Sequence, residues 1–288
     1  MIKFDFLEPA SLTEAMELLE RHGEEARLMA GGTGLLILMR QRLLNPAFVV
    51  SLARIPNFNR ISFDPKTGLA IGAGATHREI EMTPEVREHY PLLYETFHKV
   101  AQPRIRNMAT LGGNLAQGDP ATDPGASLMA YDAEVTLQGK KGVRKLPLEE
   151  FFVDYYETAT QPGEILTEVH VPLPKDGLSW SHIKFTPRTE EDFATVGVAL
   201  AVKTQNGRCE DIRLALNSVG PTIFRGKKAE AVLRGKSITP ELLREMGDIA
   251  ATEADPMDDQ RGSAEYKLDL IKVLVRRAGE QALTQAKR

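Results

Sequence analysis

NMATLGGNLAQGDPATDP, Asn107 to Pro124, decides how the rest of the chain is read. Gly112 and Gly113 stand side by side between apolar residues, Asn114 follows, and a polar run containing Pro120 closes the stretch. Little in it promises to fill a hydrophobic core. An ordinary surface loop has small use for paired glycines in such a setting. A backbone that must come close to something does, because glycine leaves its N–H groups uncovered. A similar pair stands upstream in RLMAGGTGLLILMRQR, Arg27 to Arg42.

Working outward, SLTEAMELLERHG predicts a helix: Ser11 and Glu14 have capping-box spacing, Ala15, Leu18 and Leu19 share a face, and Gly23 stops it. RLMA predicts a strand, the glycines a turn, and the apolar-to-basic segment after them the start of a helix; PAFVVSLARI is the next strand. Strand, glycine turn and helix together can offer backbone N–H groups to an anion. A second unit begins near Asn57, with LAIGAGATHREI as strand, turn and helix start, and Thr76 as its cap. VREHYPLLYETFHKVA predicts one amphipathic helix striped by Tyr90, Leu93, Tyr94 and Phe97, with His89 and His98 as polar-face residues. SLMAYDAEVTLQG is an apolar element leading into a strand. In LTEVHVP, Leu166, Val169 and Val171 alternate imperfectly with polar positions, which predicts a strand near a sheet edge.

PLPKDGLSW, Pro172 to Trp180, breaks the pattern with two prolines, a glycine and a charge pair, and serves as the domain boundary. Beyond it SHIKFTP, TVGVALAVKT and DIRLALNSVG predict one antiparallel sheet, with Asn206 to Arg208 as a hairpin turn. The chain turns helical after Thr222, with Thr239 and Pro240 as N-cap and first residue of one helix, and SAEYKLDLIKVLVRRAGEQAL as the last. The expectation is an α+β protein: two α/β subdomains, residues 1–56 and 57–175, then a C-terminal domain of antiparallel sheet and helices, residues 176–288.

Composition narrows the chemistry. The net charge of −4 gives no general attraction for nucleic acid, although Arg40, Arg42, Arg104 and Arg106 could form a local basic patch. The single cysteine, Cys209, excludes an intrachain disulfide, and with it a cysteine-held zinc site or iron–sulfur cluster in this chain alone. Cys209 falls at a strand entry, where a thiol is inert. MIKFDFLEPA meets acidic residues and a proline too soon for a secretory leader, and no apolar run nears a membrane span, so the expected location is the cytoplasm.

Two glycine turns with Thr33 and Asn114 beside them suit a pyrophosphate; the alternative is two tight turns in which glycine only relieves strain. Neither has the spaced glycines of a dinucleotide fingerprint or the Gly-Lys-Ser/Thr of a nucleotide-hydrolysing loop. There is no G-x-S-x-G and no H-E-x-x-H, the six histidines show no ligand spacing, and Glu190 to Asp192 read as a solvated turn.

RLMAGGTGLLILMR, IGAGATHREI, IRNMATLGGNLAQGDPATDP and PGEILTEVHVP, in this order, resemble the FAD-binding subunit or domain of the molybdenum hydroxylases, the xanthine dehydrogenase and carbon monoxide dehydrogenase group. KFTPRTEEDFATVGVAL and AEYKLDLIKVLVRRA extend the likeness over essentially the whole chain. The resemblance implies the vanillyl-alcohol-oxidase-like (PCMH-type) FAD-binding fold. It implies that Ala30, Gly31, Gly32, Thr33, Gly34 and Leu35 form one pyrophosphate loop, and Thr110, Gly112, Gly113 and Asn114 the other. It implies that Asp123 holds the adenosine ribose, that the Leu166 backbone lies by the flavin's pyrimidine edge, and that Lys184 stands near the isoalloxazine. Asp192 belongs to the adjoining polar turn, and Phe193 lies against the ring or, alternatively, anchors the core. Gly34 stands where relatives often carry Asp or Ser.

By the same resemblance the FAD is noncovalent and the chain is the electron-transfer subunit of an oxidoreductase, with no catalytic residue or metal of its own. A small partner with [2Fe-2S] clusters feeds it, a large partner with the molybdenum cofactor binds the substrate, and the assembly is a dimer of heterotrimers serving an external acceptor. A self-contained FAD-dependent oxidoreductase of the same fold, or a scaffold with an empty flavin site, is the alternative.

Overall fold

The computed structural model describes residues 2–286; Met1, Lys287 and Arg288, at the outer ends of the first and third expected domains, lie outside the described residues. Strand β1 (Asp5–Leu7) leads to helix α1 (Leu12–His22). The Ser11 hydroxyl accepts the Glu14 N–H at 3.1 Å, while the Glu14 carboxylate reaches back to the Ala10 N–H at 2.7 Å rather than to that of Ser11. Strand β2 (Ala26–Met29), helix α2 (Leu35–Arg40) and strand β3 (Phe48–Ser51) follow, and the three strands form a parallel sheet in the order β1-β3-β2.

The middle of the chain runs through strands β4 (Ile61–Asp64) and β5 (Gly68–Gly72), then helices α3 (His77–Met82), α4 (Pro84–His89), α5 (Pro91–Lys99), α6 (Pro103–Arg106), α7 (Leu111–Ala116) and α8 (Pro124–Ala130). Strands β6 (Glu134–Gly139) and β7 (Gly142–Pro147), the short hairpin of β8 (Phe152–Asp154) and β9 (Glu157–Thr158), and strand β10 (Ile165–Val171) complete it. Its main sheet, β4-β5-β10-β6-β7, is antiparallel throughout.

Three expectations are corrected here. The segment Val86 to Ala101 is two helices, broken at Tyr90, whose backbone (φ −128, ψ 57) is not helical. A following proline disfavours the helical conformation in the residue before it and supplies no N–H. Tyr90 is nevertheless fully buried, and its hydroxyl donates to the Val171 carbonyl at 3.2 Å. Second, β10 is the central strand of its sheet, not an edge. The pairing with β6 steps from Leu166↔Leu137 to Glu168↔Thr136, so a bulge at Thr167 brings Leu166 and Val169 to buried positions although three residues separate them. Third, the opening stretch does feed the core. Gly112 and Gly113 lie in the first turns of α7, and Leu111 and Leu115 on either side of them are fully buried.

The C-terminal sheet is formed by β11 (Leu178–Phe185), β12 (Val196–Gln205), β13 (Arg208–Asn217) and β14 (Phe224–Arg225), antiparallel and in that order. Asn206 and Gly207, both at positive φ, make the two-residue turn between β12 and β13. Helices α9 (Lys227–Leu233), α10 (Pro240–Glu253) and α11 (Ala264–Ala286) pack on one face. Thr239 caps α10 as expected, accepting the Leu242 N–H at 3.3 Å.

Both faces of β12 are covered. Val196, Val198, Leu200 and Val202 point into the helical core, whereas Ala199 and Ala201, with Ala215 of β13, belong to the larger core that spans the rest of the molecule. Small side chains there let α8 lie close, and every residue of α8 is buried. Cys209 is buried in β13, where burial pushes its thiol up to about 11. No helix of the described residues is long and apolar enough to cross a membrane.

Candidate functional site

The two glycine pairs meet face to face, and they are not alike. A Cβ on Gly31 would sit 1.8 Å from the Met108 carbonyl oxygen, and one on Gly112 would sit 2.4 Å from the Ala73 Cβ. At these two positions the close approach is between protein segments: Gly31 against the Asn107–Ala109 turn, Gly112 against the end of β5. Gly31, Gly32 and Gly113 also line a cavity of about 440 Å3, and a Cβ on Gly113 would sit 2.9 Å from the Thr110 hydroxyl. At Gly112, which lines neither this cavity nor the hollow beside it, packing, the alternative left open by the sequence, accounts for the glycine.

The donors also divide unevenly. Leu111 N–H donates to Ala75, Gly112 to Ala73, Asn114 to the Thr110 carbonyl and Gly113 to the Thr110 hydroxyl. The second segment therefore has no row of free amides, because α7 and its Thr110 cap consume them. In the first segment none of the N–H groups from Ala30 to Leu35 has an acceptor among the described residues. Six consecutive donors without a protein acceptor stand at the N-terminal side of α2, an arrangement suited to phosphate oxygens.

The same cavity is lined by Thr110, Asn114, Asp123, Lys184, Asp192 and Phe193. All the expected site residues line it except Gly112, which is spent on packing, and Leu166, which is buried in β10 against the hydrophobic core. Asp123 and Lys184 are both buried, and Lys184 Nζ lies 2.9 Å from Asp123 Oδ2 and donates to the Lys99 carbonyl at 2.9 Å. Burial pushes the Asp123 carboxyl up, and the Lys184 charge pulls it back only in part. The resemblance sends these two residues to opposite ends of an FAD. Their direct contact puts both at one point of the cavity lining.

Asp192 accepts the Thr189 N–H at 3.2 Å and closes the turn that carries Phe193. Phe193 is 53% exposed at the cavity mouth, which excludes the alternative of a core anchor. Arg106 is likewise not part of a basic patch. It is buried, its Nε donates to Glu81 at 3.1 Å, and one terminal nitrogen donates to the carbonyls of Val100 (3.0 Å) and Ala101 (2.8 Å). Burial alone would raise Glu81, but hydrogen bonds from His98 and Arg78 and the Arg106 charge hold it below the usual carboxylate range. Arg106 thus fixes a wall of the cavity, including Ala101 at φ 45.

Several lining residues were not singled out from the sequence: His77, Val100, Ala101, Ile105, Gln117, Asp119 and Tyr156. His77 sits in a helix start that was read only for its cap, and nothing in its spacing distinguishes it. A second hollow of about 300 Å3, lined by Leu52, Phe58, Asn59, Thr76 and Glu79 among others, shares Ala30, Gly31 and Thr110 with the first. The glycine ridge thus separates two adjoining hollows.

Whether the residues fit a flavin dinucleotide can be judged from what they leave unsatisfied. Asn114 Oδ1, Asp123 Oδ1 and both ring nitrogens of His77 are buried and have no partner among the described residues, and all three side chains line the larger cavity. Buried polar groups without partners are costly, so their gathering with six acceptor-free amides around one cavity suits a polar ligand. The residues fit FAD. Among the described residues no cluster of His, Cys, Asp and Glu could hold a metal ion.

The family model for the FAD-binding domain in molybdopterin dehydrogenase matches residues 2–174, and that for the CO dehydrogenase flavoprotein C-terminal domain matches residues 181–282. The chain is 34% identical over 276 residues to the carbon monoxide dehydrogenase medium chain of Hydrogenophaga pseudoflava, covering 96% of both. It is 32% identical over 285 residues to the 6-hydroxypseudooxynicotine dehydrogenase complex subunit alpha of Paenarthrobacter nicotinovorans, covering 99% of this chain and 96% of that one. Among solved structures it matches a chain of carbon monoxide dehydrogenase from Hydrogenophaga pseudoflava with a TM-score of 0.95 and 35% identity, covering 99% of each.

Proposed function

The chain belongs to the FAD-binding medium subunits of the molybdenum hydroxylase family, and from that premise we propose that it is the electron-transfer subunit of such an oxidoreductase, taking electrons from [2Fe-2S] clusters on a partner and delivering them to an external acceptor. FAD, when bound, supplies the exchange between single-electron and two-electron carriers. This chain's residues bind and orient it: the amides of Ala30 to Leu35 take the pyrophosphate, and Asn114 and Thr110 line the same cavity. The Asp123–Lys184 pair meets the part of the cofactor deepest in the larger cavity, Phe193 shields its mouth, and the dinucleotide lies across the glycine ridge. Under this reading the division at residues 56 and 175 separates the pieces that close on the cofactor from either side.

The observation that carries the reading is the row of six acceptor-free amides gathered with three orphaned buried polar groups around one cavity. The acid–base pair lining the cavity, Asp123 and Lys184, is engaged with itself at 2.9 Å, and this disfavours a self-contained enzyme. A small iron–sulfur subunit and a large molybdenum-cofactor subunit are the partners we propose, in a dimer of heterotrimers located in the cytoplasm. The relatives' names span carbon monoxide and 6-hydroxypseudooxynicotine, which supports a substrate set by the large partner.

Reconstitution tests the proposal. The chain is purified with FAD, its neighbouring subunits are added singly and together, and flavin bleaching is followed after substrate. Bleaching is expected only with both partners present. Rapid bleaching of the solitary chain by an organic substrate would establish the self-contained enzyme, and a chain that takes up no FAD would leave the scaffold.

A further inference from the structure

Among the cavity-lining groups, His77 carries both ring nitrogens buried without a well-formed hydrogen bond among the described residues. Its side chain is 1% exposed, it stands at the first position of α3, and its ring meets Phe97 edge-on with centroids 5.4 Å apart. Its backbone is occupied, the N–H donating to the Ala109 carbonyl at 2.9 Å. Neither ring nitrogen has a hydrogen-bond partner among the described residues, although the Thr110 backbone lies near one of them. Burial in so apolar a setting keeps the imidazole neutral at ordinary pH: desolvation holds it down to about 4, with the Arg106 charge adding to the effect and the Thr110 backbone offsetting part of it. A neutral imidazole has one N–H to donate and one lone pair to accept with. An apolar aromatic would fill the same space and pack on Phe97 without the penalty of an unpaired polar ring. His77 lines the larger cavity together with Gly113, Asn114 and Asp123.

We propose that His77 is a cofactor-contacting residue, donating a hydrogen bond from one ring nitrogen to an oxygen of the bound FAD. The proposal rests on the reading of the cavity as an FAD site. It makes the histidine a group whose cost is carried by the empty chain and relieved by the ligand, a reciprocal signature that a packing residue lacks. The same logic extends to Asn114 and Asp123, but His77 differs in that aromatic packing and polar function can be separated by one substitution.

The test uses the full chain stripped of flavin, with FAD titrated by fluorescence quenching and the apo state followed by thermal and denaturant unfolding. His77→Phe keeps the ring and its contact with Phe97. It is expected to weaken FAD binding on the order of tenfold while leaving the apo melting temperature unchanged or higher. His77→Gln restores a donor and is expected to recover part of the affinity. Wild-type affinity in His77→Phe, or a loss of apo stability with affinity intact, would overturn the role of His77 while leaving the FAD site standing. Failure of the wild-type chain to take up FAD would overturn both.

Discussion

Replacing Lys184 by methionine isolates the electrostatics at the centre of the cavity. The side chain keeps its length and apolar stem, but Asp123, already buried, loses the ammonium 2.9 Å from its Oδ2. Removing one partner of a buried pair costs ~3–5 kcal/mol, much of it the uncompensated charge left behind. In a chain of this size about 2–4 °C of melting temperature follows each kcal/mol, so the apo protein should lose roughly 6–20 °C near neutral pH. The loss should depend on pH in a defined direction. Asp123 is raised by burial above its ordinary 3.8 even with Lys184 in place, and without it the carboxyl moves further up. A carboxyl raised in the folded state is tolerated below its unfolded value and costs stability as pH rises through its folded value. The difference between variant and wild type must therefore grow with pH and shrink in acid. Lys184→Met combined with Asp123→Asn, which removes the stranded charge, should recover most of the stability. Denaturant unfolding of the three proteins at about pH 5 and pH 7.5 provides the measurement. A penalty under about 1 kcal/mol, or one that does not shrink in acid, would refute the claim that this pair is held together against its own desolvation.

The glycines should separate by role. Gly31→Ala should lower apo stability by roughly 1–3 kcal/mol, because the Met108 carbonyl must move, whereas Gly113→Val should weaken FAD affinity by a larger factor than it lowers the denaturant midpoint. Parallel flavin titration and unfolding of both variants reads this out, and a matched loss in the two would contradict it. His77 and His182 are both buried and held by desolvation down to about 4 and about 3. The unfolded chain takes up their protons first, so stability is full above pH about 6.5 and falls below it by about 1.4 kcal/mol per pH unit for each histidine. Unfolding midpoints between pH 7 and 4.5 should show this slope, and His182→Phe should flatten it.

Much of this was legible in the chain. The Thr76 cap, the Asn206–Gly207 turn, the Thr239–Pro240 helix start and the triple-stranded C-terminal pattern are local signals, and local chemistry satisfies them in the fold. What misled was non-local. The uneven alternation at Leu166 comes from a bulge, which looks in sequence like an exposed face. Gly112 looks like a ligand-facing glycine because the requirement for a missing side chain is the same whichever backbone approaches. The contact between Lys184 and Asp123 joins positions 61 residues apart and has no sequence signature. His77 is invisible for the opposite reason: its significance lies in hydrogen bonds it fails to make.

The alanine face of β12 bears on how the chain is made. During synthesis α8 leaves the ribosome well before β12 and β13, the strands against which it is buried. Until those strands arrive, the side of α8 that packs on them has no cover, and the first 175 residues are an incomplete body with an apolar wound on one side. A fragment ending at the proline-rich junction should therefore aggregate rather than fold, however natural that cut looks on paper. Chaperone dependence during expression would follow from the same delay, and tethering the missing strands to the fragment in trans should relieve it.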